Sequence, residues 1–83
     1  MDENKKIQIQ SATLDRLINH LNERKDVQNI DLMNLAGFCR NCLSGWYQDA
    51  AKEKEIPLSK EEARAIIYGM PYSEWKKNYQ TEN

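Results

Sequence analysis

Two thiols three residues apart, Cys39 and Cys42, and a single imidazole, His20, are the whole supply of soft ligands in this chain of 83 residues. A C-x-x-C pair on a helix puts both sulfurs on one face. With His20 as third ligand, the S, S, N set suits zinc or another thiophilic metal. A structural zinc takes four ligands, so Asp26, Asp31, a water or a second chain would have to complete the site. A coordination position left open would make it catalytic. A redox dithiol is the weaker reading, because such pairs sit at a helix N-terminus whereas the apolar spacing puts Cys39 about two turns inside a helix. A metal-free nucleophile would need an accessible thiolate. The plainest reading leaves both as packed thiols, since free cysteine is among the most buried residue types.

Arg16, His20 and Arg24 fall at i, i+4 and i+8 along one helical ridge. Like charges in a row repel, so the ridge is a candidate anion or carboxylate site; the alternative is a solvated edge whose arginines pair with Asp26, Asp31 or nearby glutamates. A polar set follows, with Asp26, Asn29 and Asp31 at a helix junction and Asn34, Arg40 and Asn41 beyond it. Turn and capping chemistry accounts for the first three. Asn34 and Asn41 are poor helix formers outside any capping position, so they are candidates for a ligand or partner contact. The aromatic residues Trp46, Tyr47, Tyr68, Tyr72, Trp75 and Tyr79 are too many for so small a body to bury, which points to a partner or self-association surface.

The elements that must position these groups are helical. Leu14, Leu17, Ile18 and Leu21 mark one face of a first helix from about Ala12 to Lys25, with Ser11 or Thr13 as cap. A polar link leads to a second helix from Asn29 to about Glu53. In it Leu32, Ala36, Cys39, Leu43, Trp46 and Ala50 alternate in steps of four and three. Between Leu32 and Ala51 only Arg40 and Asp49 are charged, so this helix should be the spine of the core. Gly37 and Gly45 inside it cost up to ~1 kcal/mol each, which a close helix crossing would offset. Ser59 and Glu62 form a capping box for a third helix that carries Ala63, Ile66 and Ile67 inward and stops at Gly69 before Pro71. Ser73 can cap a short fourth helix bearing Trp75 and Tyr79. The expected fold is all-α, a single-domain bundle of about four helices around a long central one. Residues 1–10 and 81–83 are expected to be loose, and the compact body to have a radius of gyration of about 12 Å.

With 12 basic against 13 acidic side chains, the molecule projects no basic field to attract nucleic acid or anionic lipid. Polar residues interrupt every apolar run before it reaches the ~18 residues a membrane span needs. No long apolar leader begins the chain, so a cytoplasmic location is expected. A phosphate-binding loop, a dinucleotide turn, a Ser/His/Asp set and H-E-x-x-H are all absent, and Asp15, Glu23, Glu61 and Glu62 read as solvated faces and caps.

The run from Asp26 to Ser44, D-V-Q-N-I-D-L-M-N-L-A-G-F-C-R-N-C-L-S, followed by Trp46-Tyr47, Tyr68-Gly-Met-Pro-Tyr72 and Glu74-Trp75, resembles the short proteobacterial proteins grouped as domain of unknown function 1244. The resemblance covers roughly His20 to Gln80. It implies an all-helical bacterial protein and no established activity. Its motif positions here are His20, Arg24, Asp26, Asn29, Asp31, Asn34, Cys39, Arg40, Asn41 and Cys42, while Gly45 stands where the pattern leads one to expect a basic residue. Together these features favour a binding module acting on an unidentified protein partner or on further copies of itself. The runner-up is a metal-binding protein using His20, Cys39 and Cys42.

Overall fold

Asp2 begins the first helix of the computed structural model, which describes residues 1–81. Its carboxylate accepts from the Lys5 N–H at 2.9 Å, and Glu3 adds a negative charge to the first turn. Helix α1 therefore runs Glu3–Glu23, nine residues ahead of the expected start at Ala12. Thr13, an expected cap, instead donates its hydroxyl to the Ile9 carbonyl inside the helix. The expected loose segment 1–10 is thus mostly helical, though every residue from Met1 to Thr13 is exposed.

The expected spine is two helices, α2 (Asn29–Ala36) and α3 (Arg40–Glu53). Gly37 ends α2 in the left-handed conformation, φ +75°, and its N–H closes the last turn on the Met33 carbonyl. Only glycine reaches that conformation without a Cβ penalty. Phe38 and an extended Cys39 then lead into α3. The cost assigned to Gly37 is therefore no cost at all. At Gly45 no close crossing exists, because a Cβ built there meets nothing within 4 Å.

Helices α4 (Lys60–Tyr68) and α5 (Tyr72–Tyr79) complete the chain. The capping box forms as expected, with Ser59 Oγ accepting from the Glu62 N–H and the Glu62 carboxylate from the Ser59 N–H. Gly69 stops α4 at φ +71°. Pro71, rather than Ser73, is the N-cap of α5. The C-terminal residues expected to be loose lie largely outside the described residues. Thr81, the one described, donates its N–H to Gln28 Oε1 at 2.9 Å.

Ile18, Leu21, Leu43, Ile67, Tyr68 and Trp75 form the core, drawn from α1, α3, α4 and α5. Tyr68 meets the rings of Trp75 and Tyr72 edge-on at 5.0 and 5.2 Å, each pair contributing roughly 0.5–1.5 kcal/mol beyond its area. The charge-poor segment is only partly interior: Leu43 is buried, whereas Leu35 is 89% and Trp46 56% exposed. No residue among those described is in a strand, so the fold is an all-helical, small single-domain bundle. Its radius of gyration is 13.8 Å and its long axis 45 Å. The N-terminal half of α1, projecting past the bundle, stretches it beyond the compact estimate.

Candidate functional site

Arg40 opens α3 and is fully buried. Its side chain crosses to the C-terminal end of α1, where the last carbonyls of a helix have no intrahelical donor and carry the negative end of its dipole. Nη2 donates to the Arg24 carbonyl at 2.8 Å and, at 3.4 Å, to that of Leu21. Nη1 donates to the Val27 carbonyl at 2.7 Å and to Asn29 Oδ1 at 3.1 Å. The guanidinium lies 5.0 Å from the centre of the Trp75 ring. Partial charges and a π-face thus replace a carboxylate counter-ion. Burial lowers the Arg40 pKa, opposed by the nearby Tyr68, Cys39 and Asp26.

The remaining polar groups close this network. Asn29, also buried, accepts the Arg40 backbone N–H and donates Nδ2 to the Tyr68 hydroxyl at 3.1 Å. Tyr68 donates onward to Asn41 Oδ1 at 2.7 Å. Burial pushes the Tyr68 pKa up to about 12, against the opposing hydrogen bond from Asn29. Asn29, Arg40 and Asn41, expected as ligand contacts, thus bond within the fold, Asn29 to Arg40 and Tyr68, Arg40 also to backbone carbonyls and Asn41 to Tyr68, while Arg40 Nε is buried with no partner among the described residues. Asp31 and Asn34 are exposed on α2 and take no part.

The ridge of α1 does not form an anion pocket from several elements. Arg16 and His20 border a shallow depression of about 390 Å³ whose walls, including Glu23, all come from α1. Arg24 turns aside to make a two-pronged pair with Asp26, at 3.1 Å for each bond, and this holds the Asp26 carboxyl below its usual range. Both partners are exposed, so the pair is the solvated edge of the alternative reading.

The soft ligands do not converge as a set of three. Among the described residues no three His, Cys, Asp or Glu side chains come together, so His20 does not join Cys39 and Cys42. The two sulfurs themselves are 3.8 Å apart. Cys39 is the N-cap of α3 and Cys42 lies in its first turn, where a continuous helix would have put Cys39 about two turns from the end.

The structure also holds an apolar groove that the residue spacing does not reveal. Leu14 of α1, Trp46 and Tyr47 of α3, Ile56 and Leu58 of the following link, and Ile66 of α4 border an open groove of about 430 Å³. Ile66, expected inward, is 41% exposed on its wall. The aromatic residues divide accordingly: Tyr68 and Trp75 are core, while Trp46 faces the groove and stacks on Phe38 with ring centres 5.9 Å apart. No described helix is long and apolar enough to cross a membrane.

No curated protein matches the chain. A family model described as "Protein of unknown function (DUF1244)" matches residues 27–83, a span that takes in α2 to α5 and leaves out α1. His20, Arg24 and Asp26, expected within the motif, lie ahead of the match. The segment that does match carries Asn29, Cys39, Arg40, Asn41, Cys42 and Tyr68, the network and the dithiol together, and on that match the chain belongs to the DUF1244 family.

Proposed function

We propose that the chain is a protein-interaction module that pairs with a second copy of itself through the apolar groove and the free half of α1. The observation that carries this reading is surface area. The molecule exposes 6210 Å², against about 5,200 Å² for a typical monomer of its mass. The excess of about 1,000 Å² is close to the roughly 800 Å² that each partner buries in a standard interface.

The surplus is placed where one copy can cover another. Ile7, Leu14 and Leu21 follow one stripe of α1 at seven-residue spacing, passing from 56% exposed at Ile7, through half-buried Leu14 on the groove, to 5% at Leu21. Each copy thus carries both an uncovered helix stripe and a groove that the stripe leads into, so a two-fold pair satisfies both surfaces at once.

Sedimentation equilibrium tests it. A dimer is expected on the order of 100 μM, where a micromolar dissociation constant leaves little monomer. Ile7→Glu, a change at an exposed position, is expected to weaken pairing at least about tenfold while leaving the circular dichroism unchanged. A wild-type chain that stays monomeric, or an Ile7→Glu variant that pairs as tightly, overturns the proposal.

A further inference from the structure

We propose that Cys39 and Cys42 form a redox-active dithiol that reduces low-molecular-weight disulfides by thiol–disulfide exchange and closes to an intramolecular disulfide. The break after α2 makes the site. Gly37 ends one helix, Cys39 is extended at φ −139°, and α3 starts at Arg40, so the pair occupies the N-cap and first turn of a helix of 14 residues.

Three features fit the pair to this chemistry. The sulfurs are 3.8 Å apart, so side-chain rotation has about 2 Å to close to the 2.03–2.05 Å of a disulfide bond. Cys39 occupies a position that usually holds an oxygen side chain, yet it makes no capping hydrogen bond. Both sulfurs therefore sit at the N-terminal end of α3 with no capping side chain between them and the first turn. The turn that presents them is anchored by one of the two residues between them: the Arg40 backbone N–H bonds Asn29 Oδ1, and its guanidinium is fastened to the end of α1. Closing the disulfide therefore works against a fixed backbone rather than a floppy loop.

Exposure assigns the roles. Cys42 is half-buried and Cys39 only 8% exposed, so Cys42 is the attacking thiol and Cys39 the resolving one. The Cys42 thiolate attacks one sulfur of the small disulfide RSSR. Its S–S bond breaks, the first RS⁻ leaves with the electron pair and takes up a proton, and a mixed disulfide remains on Cys42. The Cys39 thiolate then attacks the Cys42 sulfur and displaces the second RS⁻. Two electrons pass from the dithiol to RSSR, and the two thiol protons end on two RSH.

The test uses the reduced, native full chain and oxidised glutathione as the probe, with alkylation in acid-quenched samples read by mass spectrometry. The expected product has lost two hydrogens and maps to a Cys39–Cys42 bond within one chain, with the circular dichroism retained. Cys39→Ser should stall as a glutathione mixed disulfide on Cys42, and Cys42→Ser should react at least about tenfold more slowly. The wild-type measurement stands whether or not either variant folds. Two free thiols after equilibration, closure only in urea, or a bond between chains would overturn the proposal.

Discussion

The knot around Arg40 and the face made by the groove and α1 are opposites in how they use their chemistry. In the knot, the buried Arg40, Asn29 and Tyr68 and the half-buried Asn41 bond one another and backbone carbonyls. On the groove face, Ile7, Trp46, Ile56 and Ile66 are apolar and uncovered. The Asn29–Arg40–Tyr68–Asn41 network thus positions a helix end inside the monomer, while the proposed pairing face is built of residues that carry no reactive group. A buried network is most costly where a member lacks a partner. An uncovered apolar face gains only when something arrives.

The contrast is tested hardest at Arg40. Arg40→Lys keeps the charge but supplies three donors from one point in place of a planar fork, so the Val27 carbonyl and Asn29 Oδ1 lose guanidinium bonds and the Leu21 and Arg24 carbonyls keep only their backbone donors. A loss of about 3 kcal/mol is expected from urea unfolding, a large share of the roughly 4–12 kcal/mol typical of a chain this size. A loss below about 1 kcal/mol would show that the knot is not what secures α1 to α3.

Alkaline pH probes the same knot less severely. An unfolded tyrosine releases its proton near pH 10.0, whereas folded Tyr68 holds it to about 12. Between those values the unfolded state binds fewer protons than the folded one, so stability falls as pH rises. The contribution is complete below pH 10 and lost by pH 12, amounting to about 2–3 kcal/mol. Tyr68→Phe should flatten the unfolding free energy over that window by this amount. An identical slope in the two proteins would place the Tyr68 hydroxyl in contact with solvent. At the other extreme, Ile7→Glu on the open face should change monomer stability by less than about 0.5 kcal/mol even as it disrupts pairing.

Features fixed by short-range chemistry were legible in the sequence. The Ser59–Glu62 box and the Gly69 stop depend on residues within one turn, and both form. The break at Gly37 was not legible, because an i, i+3, i+4 stripe is compatible with one helix or with two joined by a left-handed glycine. Gly37 was itself the signal. With Gly37 as a stop, Cys39 stands at a helix start; in one continuous helix it would stand about two turns inside. Arg40 stood out as a lone charge in an apolar stretch, but its partners are backbone carbonyls of Leu21, Arg24 and Val27, which side-chain types do not reveal. Asp2, three residues before the Lys5 N–H it caps, was a readable start for α1. The groove had no signal of its own, since Leu14, Trp46 and Ile66 read equally well as core.

Amide hydrogen exchange at two protein concentrations, on the order of 1 and 100 μM, tests the division between closed knot and open face most directly. Amides of residues 18–24 and of Arg40, Leu43 and Ser44 should be protected equally at both concentrations, while those of residues 5–13 should exchange quickly in the dilute sample and become protected in the concentrated one. Equal, rapid exchange of residues 5–13 at both concentrations would contradict a second copy covering α1, and rapid exchange at Arg40 and Leu43 would contradict the knot.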